Sequence, residues 1–242
     1  MHVLEVQFPA LRKADAEIWP LLFELASDYP RGWAVVGAQM VILHVTALGL
    51  SRPLRTQDTD ILVDLQTMSP EVICQWLLDH DFNMDRINPF GVAHIFRRSG
   101  LRIDVLATDH AGPRTPRTTI PPARTVEVPG GRKAVSGLTA ARVTIEGLSG
   151  DVPVPDWVGA LILKARAATV LPDPEEKHLT DFALLLGLPV DARRFAETLT
   201  SRERRQLQRA IDRIHDSIWN SVAGNVDPRA GRAAARLVGR LA

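Results

Sequence analysis

Apolar positions along the chain follow two patterns, which predict strands in the first part and helices in the second. Short apolar runs that stop at turn residues, such as 33–36 before Gly37, are typical of buried strands. From Pro155 onward, apolar residues recur three and four positions apart, which is typical of helices. We therefore predict an α/β (α+β) fold, a mixed sheet with flanking helices. Its units are an N-terminal domain over 1–150 and a helical C-terminal domain over 153–242.

Capping and turn residues place the ends of these elements. Ser69 followed by Pro70 is typical of a helix start, because proline in the first helical position gives up no hydrogen bond. Residues 109–122 lack periodicity and predict a loop, and residues 129–137 predict a turn around two glycines. The predicted strands are 33–36, 61–63, 82–87, 94–98, 101–107, 124–128 and 142–148. The predicted helices of this part are 14–27, 38–48 and 70–79.

The C-terminal part is predicted to be a series of helices. The helix predicted over 155–170 carries Lys164 inside an apolar stripe, where a lysine either extends to water or points into a cleft. Capping boxes that begin at Asp173 and at Thr200, each with a glutamate three residues later, predict two further helix starts. A last short helix is predicted within 228–242.

Composition narrows the class of protein. The chain has 242 residues, a formal net charge of +1 and a single cysteine, Cys74, so an internal disulfide and a cysteine zinc cluster are excluded. Charged residues occur early in the chain, which argues against a secretory signal. The most apolar run, 34–50, contains Gln39 and His44 and is short for a membrane span. We therefore expect a cytoplasmic protein without a membrane segment.

Basic residues are concentrated in two regions of the sequence. Residues 108–142 contain six Lys and Arg against two Asp and Glu, and residues 200–242 contain nine Arg against four Asp and Glu. A charge-rich helix face is usually just solvated, but such regions can also contact the phosphates of a nucleic acid. Both interpretations are open from the sequence.

Two aspartates precede the apolar run 61–63. Asp58 and Asp60 are two positions apart, so along a strand their side chains point to the same face. Two carboxylates that close repel each other, and hard divalent cations with oxygen ligands remove that repulsion. A pair of such ions can clamp the attacking and leaving oxygens of an in-line displacement. The alternative is that the two aspartates form a solvated turn before the strand.

The same stretch resembles a known enzyme family. A glycine turn at Gly37, a helix, and the motif Arg-Thr-x-Asp-x-Asp at 55–60 resemble the nucleotidyltransferase fold of DNA polymerase beta type. The form of the motif is most similar to the AbiEii / MenT branch, the toxin half of certain toxin–antitoxin systems. The resemblance covers about 35–186. It departs at Ala38, where the family usually has a second glycine or a serine, but backbone N–H groups at a helix start can also hold phosphate.

The resemblance implies which residues bind the nucleotide. Gly37, Ala38, Arg55 and Thr56 would surround its phosphates, with Arg55 neutralising phosphate charge. Farther along the chain, Lys164 would bind the triphosphate from the first C-terminal helix.

The resemblance also implies two further carboxylates. A third aspartate comes from a strand beside the Asp-x-Asp strand, and the candidate is Asp104, as a metal ligand or as the base that accepts the proton of the attacking hydroxyl. The alternative for Asp104 is an ion pair with Arg102, two residues away on the same face. Asp181 would complete the site, and its alternative is a surface pair with Lys177, four residues away on the same helix.

The function implied is metal-dependent nucleotidyl transfer. Asp58, Asp60 and Asp104 would bind Mg²⁺ (or Mn²⁺), and a nucleoside monophosphate would move from a nucleoside triphosphate such as ATP to an acceptor hydroxyl. In the toxins of this family the acceptor can be the 3′ end of transfer RNA, and a cognate antitoxin restrains the enzyme. The alternatives are transfer to a small molecule such as an aminoglycoside, a catalytically silent binding module, and an RNA-binding protein whose aspartates are structural.

Overall fold

The structure is a computed structural model that describes residues 3–9, 16–50, 58–110, 112, 115–170 and 176–239. Within these residues the chain forms nine strands and ten helices. The strands are β1 (Leu4–Gln7), β2 (Trp33–Val36), β3 (Asp58–Val63), β4 (Asn83–Met84), β5 (Ile95–Arg98), β6 (Leu101–Thr108), β7 (Glu127–Val128), β8 (Leu138–Ile145) and β9 (Leu148–Pro155). The helices are α1 (Ile18–Asp28), α2 (Gly37–Thr46), α3 (Pro70–Asp79), α4 (Gly131–Val135), α5 (Trp157–Val170), α6 (Glu176–Leu186), α7 (Ala192–Thr198), α8 (Ser201–Ile211), α9 (Asp216–Val222) and α10 (Pro228–Gly239).

The larger sheet has the aspartate-bearing strands at its centre. Its strand order is β2-β3-β6-β5-β4, and β7 pairs with β6 outside this order. β3 and β6 are parallel, whereas β2 is antiparallel to β3 and β5 is antiparallel to β6. Ile61, Leu62 and Val63 of β3 are all buried, as expected for a strand covered on both faces. The mixed sheet with flanking helices confirms the predicted fold class.

The second sheet has three strands in the order β1-β8-β9, and the sequence predicted it only in part. β8 and β9 form a hairpin whose turn residues, Glu146 and Gly147, have φ values of 48° and 83°, as a two-residue hairpin turn requires. The prediction of one strand over 142–148 is wrong because it runs across this turn, and β1 was not predicted. Pro153 and Pro155 obscured β9, since proline is confined largely to edge strands such as this one.

Shorter elements of the first half also differ from the prediction. The strand predicted over 82–87 is reduced to β4, and the strand predicted over 124–128 is reduced to β7. The turn predicted over 129–137 contains α4, which begins directly after Gly130 in the left-handed conformation, at a φ of 88°. These departures occur where weak local patterns are decided by packing against the sheet.

The predicted helix starts agree with the structure where they fall within it. Ser69 caps α3 by accepting a hydrogen bond from the Glu71 N–H, and Pro70 is its first residue. Thr200 and Glu203 form the predicted capping box of α8. The capping box predicted at Asp173 lies outside the described residues.

One hydrophobic cluster joins the sheets and the helices. It includes Trp19 of α1, Trp33 of β2, Phe96 of β5 and Phe182 of α6. β9 continues to Pro155, past the boundary predicted between the two domains, and the division into two domains stays a prediction.

None of the described helices is both long and apolar enough to cross a membrane.

Candidate active site

Three aspartates lie on one face of two neighbouring strands. β3 begins at Asp58 and not at Ile61, so both predicted aspartates belong to the strand itself. In the parallel pairing of β3 with β6, Asp60 lies opposite Asp104. Strand neighbours are about 4.8 Å apart, and residues two apart share a face. The structure therefore brings Asp58, Asp60 and Asp104 together on neighbouring strands, the arrangement that the resemblance implied, and their roles stay a prediction.

Asp60 lies against the start of α2. A Cβ atom placed on Gly37 would be 1.7 Å from Asp60 Oδ2, and Gly37 has a φ of +66°. Only glycine fits, because any side chain would collide with the carboxylate and the conformation is strained for other residues. No side chain within the described residues caps this helix, and its first turn has no acidic residue. The first turn of α2, which begins at Gly37, thus lies beside the Asp60 carboxylate, and a helix start favours negative charge.

Arg102 links two of the three carboxylates. Its Nε and Nη2 donate to Oδ1 and Oδ2 of Asp104, both at 2.7 Å, and its Nη1 donates to Asp58 Oδ2 at 3.3 Å. The alternative weighed for Asp104, an ion pair with Arg102, is therefore present in this structure. The guanidinium group neutralises charge on two aspartates at once, and its fork geometry engages both oxygens of Asp104.

Asp60 is the carboxylate with the most perturbed ionisation. Burial, and after it the neighbouring carboxylates of Asp104 and Asp58, raise the pKa of Asp60 to about 6, although Lys164 and Arg102 act in the opposite direction. Like charges around a buried carboxylate disfavour its ionised form. The ionised form of Asp60 is thus disfavoured in the folded chain, and an additional cation beside it would favour that form.

Lys164 and Asp181 form a buried ion pair between α5 and α6. Lys164 Nζ is 2.8 Å from Asp181 Oδ2, and the two side chains are 7% and 4% exposed. Lys164 therefore does not extend to water, and Asp181 does not lie on the surface, where the alternative pair with Lys177 had placed it. Lys164 is close enough to lower the pKa of Asp60. The structure thus joins Lys164 and Asp181 to the aspartate face.

Other residues near the carboxylates were missed or lie outside the structure. Burial lowers the pKa of His94, and Asp104 partly offsets this effect, so His94 is an electrostatic neighbour of the site. No local spacing could reveal it, because His94 reaches Asp104 only through the pairing of β5 with β6. The predicted nucleotide-binding residues Arg55 and Thr56 lie outside the described residues.

The carboxylates fit a divalent cation by their chemistry. Mg²⁺ and Mn²⁺ prefer carboxylate oxygens as ligands, and a cation beside Asp60 would favour its ionised form. Both oxygens of Asp104 are engaged by Arg102. Among the described residues, no group of three or more His, Cys, Asp and Glu side chains is arranged to hold a metal ion. A cation bound by all three aspartates would therefore have to displace Arg102.

A solved structure is similar to this chain along almost its whole length. It is the crystal structure of an antigenic nucleotidyltransferase-like protein from Paracoccidioides brasiliensis, with a TM-score of 0.54 and 15% sequence identity, covering 95% of each chain. No protein-family model matches the sequence, and no curated protein matches it. The chain has a nucleotidyltransferase-like fold, and its place in the AbiEii / MenT family stays a prediction.

Proposed function

We propose that this chain is a metal-dependent nucleotidyltransferase. It moves a nucleoside monophosphate from a nucleoside triphosphate to an acceptor hydroxyl and releases pyrophosphate. The observation that carries the proposal is the position of Asp58, Asp60 and Asp104 on one face of β3 and β6, with Asp60 against the glycine start of α2. The nucleotidyltransferase-like fold supports it.

Asp58, Asp60 and Asp104 would hold Mg²⁺ (or Mn²⁺). Bound there, the metal would supply positive charge to the attacking and leaving oxygens of an in-line displacement. The carboxylates suit this role because their oxygens are hard ligands. The raised pKa of Asp60 supports it as well, since burial and two neighbouring carboxylates disfavour its charge and a bound cation would offset both effects.

The remaining roles belong to groups of the chain that act on the substrates. The backbone N–H groups at the start of α2, at Gly37 and Ala38, would bind phosphate oxygens. Lys164 and Arg55 would neutralise phosphate charge, since positioning and electrostatics contribute most to phosphoryl-type transfer. Asp104 would act as third ligand or accept the proton of the acceptor hydroxyl as that oxygen bonds to phosphorus. Breaking the bond to pyrophosphate completes the transfer.

The acceptor that we propose is the 3′ end of transfer RNA, with the chain acting as the toxin of a toxin–antitoxin system under a cognate antitoxin. This part rests on the resemblance of residues 35–186 to the AbiEii / MenT toxins. A small-molecule acceptor such as an aminoglycoside is the alternative within the same reaction class. A catalytically silent binding module is the alternative outside it, and the intact set of aspartates argues against that.

A labelling experiment tests the proposal. The chain is incubated with each labelled nucleoside triphosphate, with Mg²⁺ or Mn²⁺, and with total cellular RNA, and the labelled products are separated by size. Label in transfer RNA that depends on the metal and is absent with the Asp60→Asn variant is the expected result. Label in small molecules of a cell extract and not in RNA would favour the small-molecule transferase, and label in neither would contradict nucleotidyl transfer.

Removing Arg102 is expected to strengthen metal binding. Its guanidinium group neutralises Asp104 and Asp58 in the structure described, so it competes with any cation for the same oxygens. Hydrogen bonds to charged groups contribute about 1.5–3 kcal/mol, and about 1.4 kcal/mol is a factor of ten in affinity. Arg102→Gln should therefore bind Mn²⁺ at least tenfold more tightly, measured by calorimetry without nucleotide.

The matched control for this measurement is Arg97→Gln. Arg97 lies opposite Arg102 on β5 and pairs with Asp85, a carboxylate outside the proposed site. Its Mn²⁺ affinity should equal that of the wild type. Weaker Mn²⁺ binding by Arg102→Gln would mean that Arg102 positions the aspartates for the metal and does not compete with it.

A further inference from the structure

Some of the basic residues that the sequence separates into two regions line one groove. Two adjoining depressions, of about 320 and 280 Å³, lie between α4, α5 and α8, and both are bordered by Arg166 and Gln206. We call this pair of depressions the arginine groove. Six basic side chains line it, against three acidic ones. The basic residues are Arg132, Lys133, Arg166, Arg202, Arg209 and Arg213.

One face of α8, continued past its last turn, supplies half of these cations. Arg202, Gln206 and Arg209 are spaced four and three residues apart, which places them on one side of α8, and Arg213 lies two residues past the end of this helix. At about 1.5 Å per residue, Arg202 and Arg209 are about 10 Å apart along the helix axis. Arg213 Nη1 donates to the Ala168 carbonyl of α5 at 2.6 Å, which fixes this end of the groove. The groove therefore presents positive charge in a line.

The acidic residues of the groove are already engaged within the chain. Asp109 accepts from the backbone N–H groups of Gly130 and Arg132 at 2.7 and 3.0 Å. Glu203 closes the capping box of α8 and pairs with Lys133 at 3.1 Å. Asp212 accepts from Gln208 Nε2 at 2.6 Å. These carboxylates are bound to backbone groups, to a lysine and to an amide.

Four arginines of the groove have no carboxylate partner among the residues that the structure describes. They are Arg132, Arg166, Arg202 and Arg209. The groove thus has spare positive charge, and guanidinium groups match the oxygens of phosphate with paired hydrogen bonds. No Phe, Tyr or Trp in the described part of the chain lines either depression, and His110 contributes an imidazole ring, so the groove offers little aromatic surface for bases to stack on. These features suit a nucleic acid that is bound through its phosphate backbone, without recognition of its base sequence.

The groove is separate from the proposed metal cleft. Arg166 follows Lys164 by two residues on α5, so the two side chains leave the helix about 200° apart. Lys164 pairs with Asp181 on the other side of the helix. Asp109, at the edge of the groove, follows Asp104 by five residues, or about 16 Å along an extended chain. A ligand in the groove is therefore not the triphosphate, but can be continuous with an acceptor whose end reaches the cleft.

We propose that the arginine groove binds the phosphodiester backbone of the RNA that accepts the nucleotide. This inference rests on the proposed function, because it assigns the groove to the acceptor of that reaction. The groove contacts the RNA backbone along its length, whatever the base sequence, and so positions the RNA. The terminal hydroxyl of the RNA then enters the metal cleft. Only some basic residues of the two sequence regions line the groove. Arg117, for example, pairs with Glu127 at 2.9 Å and does not line it. Arg166 belongs to neither region.

The test measures RNA binding without nucleotide and without metal. The groove variant is Arg166→Gln with Arg209→Gln, and the probe is purified, fluorescently labelled bulk transfer RNA titrated at several salt concentrations. Each lost phosphate contact changes the slope of log affinity against log salt by about 0.7 to 0.9. The groove variant should therefore bind at least tenfold more weakly in low salt, with a slope shallower by about 1.4 to 1.8.

A charge-matched control separates the groove from net charge. Arg193→Gln with Arg229→Gln removes two exposed arginines from α7 and α10, outside the groove, and should keep the wild-type slope. If partly buried Arg166 proves necessary for folding, as a thermal melt would reveal, Arg202→Gln with Arg209→Gln changes two exposed groove residues instead. Equal slopes in the groove and control variants would overturn the proposal. So would polyglutamate binding as tightly as RNA, which would indicate an acidic protein as the partner.

The outcome can be told apart from failure of the proposed function. The binding assay uses no nucleoside triphosphate. A result that shows RNA binding in the groove therefore remains valid even if the chain transfers no label. Conversely, if label enters RNA and the groove variants bind and label RNA as the wild type does, the groove assignment alone is wrong. Affinity for free nucleotide should be the same in the wild type, groove and control variants.

Discussion

Asp60→Asn is expected to abolish nucleotide transfer while making the metal-free chain more stable at neutral pH. The amide keeps the shape of the side chain but cannot serve as an anionic metal ligand. Bound metals contribute several kcal/mol to such transfers, so the loss should reach about three powers of ten in rate. Burial and the neighbouring carboxylates of Asp104 and Asp58 raise the pKa of Asp60 to about 6, so in the metal-free chain its charge opposes folding.

The stability effect has a defined dependence on pH. Because the folded pKa of Asp60, about 6, is higher than the ordinary value near 4 for an unfolded chain, the folded state binds the proton more tightly. Its favourable contribution is therefore complete below about pH 4 and is lost as pH rises through about 6. Two pKa units correspond to about 2–3 kcal/mol. Wild type should lose about that much stability over this range, and Asp60→Asn should not.

Two measurements check the predicted change in stability and the predicted loss of transfer. They are urea unfolding in metal-free buffer from pH 4 to 8 and single-turnover transfer at pH 7.5. Asp151→Asn is the control, because Asp151 is a half-exposed carboxylate of β9 that pairs with Arg142 in the other sheet. It should retain activity and the wild-type dependence on pH. Transfer by Asp60→Asn at the wild-type rate would remove Asp60 from the chemistry. An unchanged stability profile would instead show that its charge is balanced in the folded chain.

Lys164→Met is expected to destabilise the chain by about 3–5 kcal/mol, because it removes the lysine from the buried Lys164–Asp181 ion pair. Both side chains of this pair are almost completely buried, so water cannot replace the ammonium group. The sequence alone predicts the opposite, since a lysine that extends to water from an apolar stripe is replaced by methionine without loss. The buried partner on α6 reverses that expectation.

Adding Asp181→Asn to Lys164→Met separates structure from catalysis. The amide retains the size of the aspartate side chain but carries no charge to be left unpaired. The double variant should recover most of the lost stability, to within about 1–2 kcal/mol of the wild type. Transfer should stay low, because the positive charge proposed to bind the triphosphate is still missing.

Unfolding by urea and transfer kinetics on the wild type, Lys164→Met and the double variant complete the measurement. If the Lys164–Asp181 pair were structural alone, the double variant would recover activity along with stability. A single variant as stable as the wild type would mean that Asp181 is neutralised in some other way when Lys164 is absent.

Much of the local structure was predictable from sequence, and the failures have physical causes. β2, α2 and the capping of α3 and α8 follow from apolar periodicity and capping residues within a few positions of one another. The strand predicted over 142–148 failed because the hairpin turn at Glu146-Gly147 has no proline or asparagine to mark it. β1 failed because four residues carry too weak a pattern, and its pairing with β8 is a long-range contact.

The candidate site, like the local structure, was predicted from the sequence only in part. Asp58 and Asp60 share a face because side chains alternate along a strand, and this required no tertiary information. The pair of Arg102 with Asp104 was raised as an alternative, but the contact of Arg102 with Asp58 was missed because it crosses from β6 to β3. The pairing of Lys164 with Asp181 was missed as well, since spacing along α6 made Lys177 the obvious partner.

By itself the sequence determined which residues could carry chemistry: a glycine at a helix start, carboxylates alternating on strands, and arginines repeated along a helix face. These are properties of short segments, set by backbone periodicity and conformational preference. Only the tertiary structure decided which segments adjoin. The parallel register of β3 with β6 placed Asp60 opposite Asp104, and the packing of α5 against α6 and α8 buried Lys164 and gathered the arginine groove. Register and helix rotation are decided by burial of the whole core, and no local spacing contains that information.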